Sequence, residues 1–284
     1  MRRPELVVAG GTAVVTGAAG GMGEHLATGL ARRGADLVVL DRDAAGLERV
    51  VAAIGRETPG AGVTPFVVDL ADRAATDAVI ERVRREHPGV TMLFNNAGVA
   101  VGGRFTQVSA ADFDWLLEIN LLAPIRLTRA LLPVMLGNGQ GQVVNTSSLF
   151  GLVAPPGQSA YSTSKFGLRG FSESLRHELD EEGLPVGVTV VHPGGIRTSI
   201  ARNARVAEGV DPVEAETYRK AFDRMLRHPA DRAAEEIIEA AIARQGRLLI
   251  GNDAKALDRV ARSLPARYWS LMSRGVALAT KRTR

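Results

Sequence analysis

The sequence predicts an α/β fold: a doubly wound, mostly parallel sheet of seven strands with helices on both faces. Short runs rich in valine, leucine and threonine recur along the chain, and runs such as 37–40 are wholly apolar, as in strands that are buried on both faces. Amphipathic helical segments fill the intervals, which is the pattern of parallel crossovers. With 284 residues, 45% of them hydrophobic and 23% charged, the chain suits one large globular domain.

Individual elements follow from the same patterns. The predicted strands are 12–16, 36–40, 63–68, 92–94, 142–145, 186–191 and 247–250, and the predicted helices are 23–33, 45–54, 71–86, 110–136, 160–182 and 229–243. The segment 199–228 has no clear strand and follows the sixth strand. A connection there overhangs the carboxyl edge of the sheet, where ligands bind, so we expect it to be a lid. The chain thus divides into one domain over 1–250 and an extension over 251–284.

Composition excludes several classes of protein. There is no cysteine, so disulfides, thiolate nucleophiles and thiolate metal sites are excluded. No uninterrupted apolar run reaches about 18 residues, and the first five residues, with two arginines, a proline and a glutamate, do not resemble a signal peptide, so we expect a cytoplasmic protein. The five histidines lack metal-ligand spacing, and Ser148 lacks the Gly-x-Ser-x-Gly elbow of serine hydrolases. No metal is expected.

A glycine-rich loop follows the first predicted strand and opens the first helix. It reads Thr16-Gly-Ala-Ala-Gly-Gly-Met-Gly23, with glycines at 17, 21 and 23 that permit a tight turn and close approach to a pyrophosphate at the helix N-terminus. Such a loop alone also suits a plain strand-to-helix turn. The context favours a dinucleotide site, because Asp41 ends the second strand, where a carboxylate can accept hydrogen bonds from ribose hydroxyls.

Asp41 also bears on the choice of cofactor. Its carboxylate would repel the 2′-phosphate of NADP, so NAD is the preferred cofactor. Arg42 points the other way, since a guanidinium suits a phosphate, and NADP stays open. Asp41 is equally suited to a turn or a helix cap, because Asp43 follows closely.

Ordered motifs over roughly residues 10–250 resemble the short-chain dehydrogenase/reductase family. They are the glycine loop, Asn95-Asn96-Ala97-Gly98, Ser148, Tyr161-x-x-x-Lys165 and Pro193-Gly194-x-x-x-Thr198. The resemblance implies a single Rossmann-type catalytic domain over 1–250. Besides Asp41 and Arg42, it implies cofactor contacts from Gly17, Gly21, Met22, Gly23, Asp69, Leu70, Asn96, Ala97, Gly98, Tyr161, Lys165, Pro193, Gly194, Ile196 and Thr198.

The chemistry of three residues can be argued directly. Tyr161 and Lys165 stand four residues apart in a predicted helix, so both project from one face. A tyrosine with a pKa of about 10 is a poor base at neutral pH, but a nearby ammonium favours the phenolate. Ser148, at the end of the fifth strand, can donate to a substrate oxygen that becomes an alkoxide. Tyr161 is therefore the expected general acid/base when a hydride moves between nicotinamide and a carbonyl or secondary alcohol.

Other interpretations remain beside this one. The family pattern implies that Asn120 holds a water next to Lys165, yet Asn120 also suits a helix cap near Pro124. A nucleotide-sensing regulatory protein could keep the glycine loop without turnover, and a membrane-surface scaffold could use the sheet as inert support. A sensing protein would have little reason to keep Ser148, Tyr161 and Lys165 in register.

Partners are predicted from the surroundings of the site. The residues expected near the reacting carbon are largely apolar, so a hydrophobic alcohol or ketone is the preferred substrate; they are Val99, Ala100, Leu149, Phe150, Gly151, Val153, Pro155, Gly157, Gly194 and Gly195. Four basic residues of the lid, Arg202, Arg205, Arg219 and Lys220, could reverse that preference by binding a phosphate. Extra apolar stripes on 110–136 and 160–182 favour a homodimer or homotetramer. No nucleic-acid-reading motif is present.

The extension is basic and amphipathic. Residues 244–284 hold ten Lys or Arg and two Asp, a net charge of +8, whereas the rest of the chain carries −4. Apolar residues recur at helical spacing, namely Leu257, Val260, Leu264, Tyr268 and Leu271. This stripe suits packing over the lid or a neighbouring subunit, and it also suits peripheral attachment to a membrane surface.

Overall fold

Seven parallel strands form the central sheet of the computed structural model, which describes residues 3–200, 202–271 and 273. The strands within these residues are β1 (Thr12–Thr16), β2 (Asp36–Asp41), β3 (Val63–Val67), β4 (Val90–Asn95), β5 (Val101–Gly102), β6 (Gly141–Thr146), β7 (Val186–Pro193), β8 (Arg205–Val206) and β9 (Arg247–Ile250). The order across the large sheet is β3-β2-β1-β4-β6-β7-β9, and every neighbouring pair is parallel.

Helices connect the strands. Those in the described residues are α1 (Gly21–Arg32), α2 (Ala44–Glu57), α3 (Arg73–Glu86), α4 (Ala110–Leu117), α5 (Ala123–Gly137), α6 (Ser159–Glu181), α7 (Pro212–Met225), α8 (Ala230–Ile242) and α9 (Asn252–Ser263). The predicted fold class is confirmed, and all seven predicted strands are present with ends that differ by up to two residues.

The sheet separates two apolar layers. Val15 of β1 packs in one layer with Leu26 of α1 and Ile237 of α8, whereas its neighbour Val14 packs in the other layer with Leu131 of α5. Successive side chains of a strand point to opposite faces, so a strand covered by helices on both faces must be apolar throughout. This explains why β1 is buried at all five positions.

The position of the site follows from the strand order. The chain moves from β1 outward to β3 and then returns to β4 on the other side of β1. The connections after β1 and β4 therefore leave the sheet in opposite directions, which opens a crevice at their carboxyl ends. Thr16 and Asn95 are the last residues of these two strands.

The predicted helix 110–136 is interrupted. A π-helical turn, Glu118–Leu122, separates α4 from α5, and the amide of Ala123 bonds to the Glu118 carbonyl five residues earlier. Pro124 comes next and cannot donate a hydrogen bond, so a regular turn is unfavourable there. The whole helix, 110–137, is long and apolar enough to cross a membrane, as core helices often are. Here it packs against α3, α6 and β4.

The lid region contains more structure than the sequence predicts. Residues 205–206 form β8, which pairs with β5 in a small parallel sheet of its own. The guanidinium of Arg205 stacks 3.5 Å above the Trp115 ring and bonds to Asp112. In contrast, every described side chain of α7 is at least partly exposed. The start of the lid is thus fixed to the body, and α7 lies over the surface.

The extension begins as a helix and then turns. Its helix is α9, which ends at Ser263, before Leu264, Tyr268 and Leu271 of the predicted stripe. Leu257 and Tyr268 of the predicted stripe are partly buried, but Leu264 is 42% exposed and Leu271 is 52% exposed. The basic residues from 274 onward lie outside the described residues.

Buried amides link the middle strands. The Asn95 side chain donates to Asn145 Oδ1 at 2.8 Å across β4 and β6, and Asn145 donates in turn to Ser172 Oγ of α6 at 2.8 Å. All three residues are at most 1% exposed. Removing one partner of a buried hydrogen bond leaves the other unsatisfied, which costs more than the bond itself contributes.

We therefore expect Asn145→Ala to lower the free energy of unfolding by about 2–4 kcal/mol, because two buried bonds are lost and a cavity is left. Urea unfolding measures this change. The matched control is Gln245→Ala, which removes an exposed amide and should cost less than about 0.5 kcal/mol. A loss below about 1 kcal/mol in Asn145→Ala would show that the chain of amides does not hold the strands together.

Candidate active site

Close contacts within the glycine loop allow only glycine at key positions. Gly17 and Gly21 have φ of +67° and +58°, in the region that other residues rarely adopt. A Cβ on Gly23 would lie 1.9 Å from the Gly17 carbonyl oxygen. No side chain caps the N-terminus of α1, so its first amides are available to an anion.

The residues that follow β4 are hydrogen-bonded to Thr16, at the start of this loop. Thr16 Oγ1 accepts hydrogen bonds from the amides of Asn96 and Ala97, each at 3.0 Å. The side-chain nitrogen of Asn96 donates to the Thr16 carbonyl at 3.1 Å, while Asn96 Oδ1 is buried without a partner. The Asn-Asn-Ala-Gly segment is thereby tied to the glycine loop.

Asp41 braces the glycine loop. Its Oδ2 accepts from the Ala19 amide at 3.0 Å and its Oδ1 from the Asp43 amide at 3.1 Å. The cap of α2 is Asp43, which accepts from the Gly46 amide. Arg42 is exposed and has no hydrogen-bond or ion-pair partner among the described residues. The carboxylate therefore has a structural task as well as a place beside the nucleotide crevice.

The end of β3 forms the outer edge of the crevice. Leu70 is 7% exposed, and Asp69 is exposed with Oδ1 accepting from the Ala71 amide at 2.9 Å. Asp72 caps α3 by accepting from the Ala75 amide. An apolar side chain beside an exposed carboxylate suits an adenine base and its solvated edge.

Ser148 and Tyr161 lie near each other in the wall of one cavity. Ser148 begins a short 3₁₀ turn, Leu149–Gly151, and its Oγ accepts from the Phe150 amide at 3.0 Å. Tyr161 lies in the first turn of α6, and its hydroxyl is close enough to the Ser148 side chain for Ser148 to influence its pKa. The Phe150 ring meets the Tyr161 ring edge-on at 6.1 Å.

Lys165 lies one turn further along α6 and is 2% exposed. Its Nζ donates to the Thr146 carbonyl at 2.9 Å and lies 5.6 Å from the centroid of the Tyr161 ring. A Cβ on Gly98 would lie 3.5 Å from Nζ, so glycine at 98 leaves room beside the ammonium.

Asn120 occupies the π-helical turn and is fully buried. Its Oδ1 accepts from the Val99 amide and its Nδ2 donates to the Val99 carbonyl, both at 2.9 Å. A Cβ on Gly98 would be 3.6 Å from Asn120 Oδ1 and 3.5 Å from Lys165 Nζ, so the two groups border the same space. The carbonyl of Pro124 instead accepts from Thr128 and Asn95.

One cavity of about 510 Å³ joins these residues. Almost every site residue predicted from the sequence lines it, and the exceptions are Gly23 and Asn120, which lie behind the lining. The lining members are Gly17, Gly21, Met22, Asp41, Arg42, Asp69, Leu70, Asn96, Ala97, Gly98, Ser148, Tyr161, Lys165, Pro193, Gly194, Ile196 and Thr198. The cradle of glycines, the uncapped helix end and the unpartnered Asn96 oxygen fit a dinucleotide.

The comparisons with known proteins agree with this geometry. A family model described as short chain dehydrogenase matches residues 11–209. The chain belongs to the short-chain dehydrogenase/reductase family. It is 40% identical over 269 residues to SadH of Mycobacterium tuberculosis, which is named as an oxidoreductase, and the match covers 94% of this chain and 96% of SadH. It is 35% identical over 207 residues to the oxidoreductase UcpA of Escherichia coli, covering 72% and 76% of the two chains.

Solved structures of the family superpose closely. A family member from Burkholderia phymatum in complex with NAD has a TM-score of 0.84 and 29% identity, with 91% of this chain and 95% of that chain covered. One from Sphingobium yanoikuyae in complex with NADPH has a TM-score of 0.73 and 29% identity, with 90% and 95% covered. The chain is accordingly an oxidoreductase of this family, which acts on CH-OH or C=O groups.

Burial governs the two titratable groups of the wall. Burial raises the pKa of Tyr161 although its ring keeps some contact with the cavity, and the neighbouring Ser148 side chain opposes that rise. Burial also lowers the pKa of Lys165 to about 8. The sequence suggests that the ammonium lowers the tyrosine pKa, but in this structure the ammonium is turned to Thr146 and burial dominates.

The sequence missed several residues of the site. Asn203, Met225 and Leu226 of the lid line the cavity, and so does Asp253 of the extension. Of the expected substrate-side residues, Val99, Leu149, Phe150, Gly194 and Gly195 line it, whereas the others do not; those are Ala100, Gly151, Val153, Pro155 and Gly157. Distance along the chain hides such contacts, because no local motif connects residue 253 with residue 195.

Replacing Lys165 should stabilise the cofactor-free protein. Below pH 8 the fold must hold a buried ammonium whose pKa is about 8 instead of the ordinary 10.5, an interval equivalent to roughly 3 kcal/mol. Lys165→Met removes that penalty and loses the bond to Thr146, so we expect it to be about 1–2 kcal/mol more stable than the wild type at pH 7.

The difference should shrink as the pH rises from 8 towards 10.5, because the wild-type lysine then loses its proton and the penalty disappears. Urea unfolding at pH 7 and at pH 9.5 measures the trend. Lys255→Met changes an exposed lysine and should show no such dependence. A difference that stays constant with pH would mean that the buried ammonium carries no folding cost.

Proposed function

We propose that this protein transfers a hydride between a nicotinamide cofactor, preferably NAD, and a hydrophobic ketone or secondary alcohol, with Tyr161 as the general acid/base. One observation carries the proposal: Ser148, Tyr161 and Lys165 line the same cavity as the glycine loop. A hydroxyl pair and a buried ammonium beside a dinucleotide cradle match what carbonyl reduction requires.

The proton chemistry belongs to the chain. When bound, the cofactor supplies the hydride for reduction or accepts it in oxidation. In reduction, the Tyr161 phenol gives its proton to the carbonyl oxygen while Ser148 donates a hydrogen bond to the charge that develops there. In oxidation, the Tyr161 phenolate takes the proton of the alcohol. Because burial raises the pKa of Tyr161, the protonated form needed for reduction prevails at neutral pH.

Lys165 and Asn120 act behind the phenol. The Lys165 ammonium lies one helical turn from Tyr161, where it can stabilise a phenolate and donate to a ribose hydroxyl of the cofactor. Asn120 holds the Val99 backbone next to the ammonium and borders the space where a water would connect the two groups. Both residues thus support the proton transfer by Tyr161, and Asn120 does so as a positioning residue.

An uncharged, hydrophobic substrate suits the open end of the cavity. Its walls there include Leu149, Phe150, Ile200, Met225 and Leu226, and no arginine of the lid is part of the lining. Three of the basic residues considered for phosphate binding have acidic partners: Arg205 bonds to Asp112, and Arg219 and Lys220 pair with Glu216. Arg202 is exposed outside the lining.

The cofactor preference rests on Asp41. The carboxylate lines the cavity and is held by two backbone amides, so it cannot turn away from a 2′-phosphate without releasing the loop. Repulsion at this position favours NAD. Among the described residues Arg42 has no hydrogen-bond or ion-pair partner, which gives NADP a weaker route, and the two solved relatives carry NAD and NADPH respectively.

The alternatives are less favoured. A nucleotide sensor has no use for a buried lysine that costs folding energy, and groups with strongly perturbed pKa values concentrate at sites that perform chemistry. A membrane-surface scaffold leaves the hydroxyl pair unexplained. Exposed Leu122, in the π-helical turn before α5, and exposed Phe166 of α6 support self-association as a dimer or tetramer.

Tyr161→Phe should lower turnover by about 100-fold or more, because only the acid/base hydroxyl is lost. The assay follows NADH or NADPH with a panel of hydrophobic secondary alcohols and ketones. NADH affinity and the melting temperature should stay near the wild-type values, which separates lost chemistry from lost binding or folding. Turnover within a few-fold of the wild type would exclude Tyr161 as the acid/base.

The paired variants Asp41→Ser and Arg42→Ser test the cofactor preference. Asp41→Ser relieves the repulsion and should shift the ratio of kcat/KM for NAD over NADP towards NADP by about tenfold, although losing the Ala19 bond weakens both cofactors. Arg42→Ser should move the ratio in the opposite direction. Because both cofactors share the loop, the ratio is the informative quantity. An unchanged ratio in both variants would remove these residues from cofactor selection.

A further inference from the structure

The extension covers the back of the catalytic serine. Residues 148–154, here called the serine loop, pack through Leu149, Leu152 and Val153 against the extension. The apolar residues that meet them are Ala254, Leu257, Ala261 and Tyr268. The helical stripe of the extension is therefore used, in part, to bury the underside of the loop that carries Ser148.

A first polar tie joins the extension to the other side of the cavity. Residues 193–195, here called the glycine turn, end β7, and the amide of Gly195 donates to Asp253 Oδ2 at 2.8 Å. A Cβ on Gly194 would lie 2.1 Å from Asp253 Oδ1, so the motif glycine at 194 leaves space for this carboxylate. Asp253 stands in the first turn of α9.

Gly195 is also where the lid returns to the body. Its carbonyl accepts from the amides of Arg227 and His228, each at 2.9 Å. A Cβ on Gly195 would lie 2.0 Å from the Met225 carbonyl oxygen. The glycine turn, the end of the lid and α9 consequently meet at Gly195. We therefore expect a substitution of Asp253 to affect all three segments.

A second polar tie holds the serine loop. The amide of Ala154 donates to the Tyr268 hydroxyl at 2.9 Å, while the Tyr268 ring belongs to the apolar cluster beneath the loop. Asp253 and Tyr268 of the extension thus each accept from a backbone amide. One amide is that of Gly195, which lines the cavity, and the other is that of Ala154, at the end of the serine loop whose residues 148–150 line it.

A buried ion pair anchors the extension. Arg247 of β9 pairs with Asp258 of α9, which is 6% exposed. Next to this pair, a ring nitrogen of His192 lies 3.0 Å from the Ser148 carbonyl oxygen, and burial lowers the pKa of His192 to about 4, so the ring is neutral. The anchor fixes α9 to the sheet. Asp253 lies on this helix, and Tyr268 follows five residues after its end.

We propose that Asp253 and Tyr268 are positioning residues, through which the extension clamps the serine loop and the glycine turn in register across the cavity. The consequence for turnover rests on the proposed function, since it requires that Ser148 and the nicotinamide react between these walls. The clamp itself is a property of the free protein and can be measured without a substrate.

The test compares the full-length variants Asp253→Ala and Tyr268→Phe by amide hydrogen exchange of the cofactor-free protein. Asp253→Ala should speed exchange about fivefold or more in peptides over 193–198, and Tyr268→Phe should do so over 149–157, with the other peptides unchanged. Arg259→Ala, an exposed change on the same helix, is the matched control. Wild-type exchange in both target peptides would overturn the clamp.

Gly194→Ala gives a second, independent reading. The new methyl group would displace the Asp253 carboxylate, so this variant should reproduce the exchange pattern of Asp253→Ala. Adding Asp253→Ala should then accelerate exchange no further, because both changes break the same bond. Fully additive effects would show that Asp253 does not hold the turn.

Turnover separates a clamp from a general stabiliser. At a temperature well below unfolding, Tyr268→Phe should lower kcat about tenfold while the affinity for NADH is kept, since misplacing one wall affects the reaction more than binding. A lower melting temperature with unchanged kcat would overturn the positioning role. If the wild type turns over no alcohol or ketone, the proposed function fails, and the exchange experiment still decides the clamp.

Vesicles address the competing use of the extension. Full-length protein is sedimented at low and high salt with vesicles that contain an anionic phospholipid. The clamp predicts that exposed Arg262 and Arg267 give weak binding at most, because the apolar residues beside them are partly packed. Strong, salt-sensitive sedimentation together with wild-type exchange in both variants would overturn the clamp in favour of membrane attachment.

Discussion

The close approach of the Gly17 carbonyl to Gly23 is the constraint on which the rest of the site depends. A Cβ at position 23 would lie only 1.9 Å from that oxygen. Glycine at this position therefore allows α1 to start directly above the end of β1. The uncapped amides of α1 then face the crevice between β1 and β4. Thr16, Asn96 and Asp41 hold the loop in this position from three sides. Without that approach the cavity would have no cradle for a pyrophosphate.

The opposite wall of the cavity carries a cost. Lys165 is buried with its pKa lowered to about 8, and its bond to the Thr146 carbonyl repays only part of the lost hydration. A fold selected for stability alone would replace such a residue with an apolar one. The same burial that penalises the ammonium raises the pKa of Tyr161, so one environment sets the protonation of both groups. At these adjacent turns of α6, the burial that sets the protonation of the two side chains also lowers the stability of the fold.

The two walls are held by elements that are remote in sequence. The serine loop follows β6 and the glycine turn follows β7, yet both are tied to the extension, which begins after β9. The extension lies beyond residue 209, where the match to the family model ends, so none of the motifs of the shared fold predicts its contacts. The lid adds a third connection, because the amides of Arg227 and His228 at its end donate to the carbonyl of Gly195.

The sequence by itself determined the seven strands, their parallel arrangement, the glycine loop and most of the residues that line the cavity. These depend on local features: apolar runs, helical spacing and motifs within a few residues. Two local predictions needed correction, since Pro124 and the π-helical turn divide 110–136, and residues 205–206 pair with β5 as a strand. Short strands and altered helical turns depend on the partners available, which a local pattern does not contain.

Only the tertiary structure decided what bonds Asp41, which direction the pKa of Tyr161 takes and what the apolar stripe of the extension covers. Asp41 is held by Ala19, 22 residues away along the chain, and Tyr268 meets Ala154, 114 residues away. The pKa of Tyr161 depends on how many protein atoms surround the phenol and on where the Lys165 ammonium turns. Each of these is a matter of distance in space, and distance in space is set by how the helices pack on the sheet rather than by any spacing along the chain.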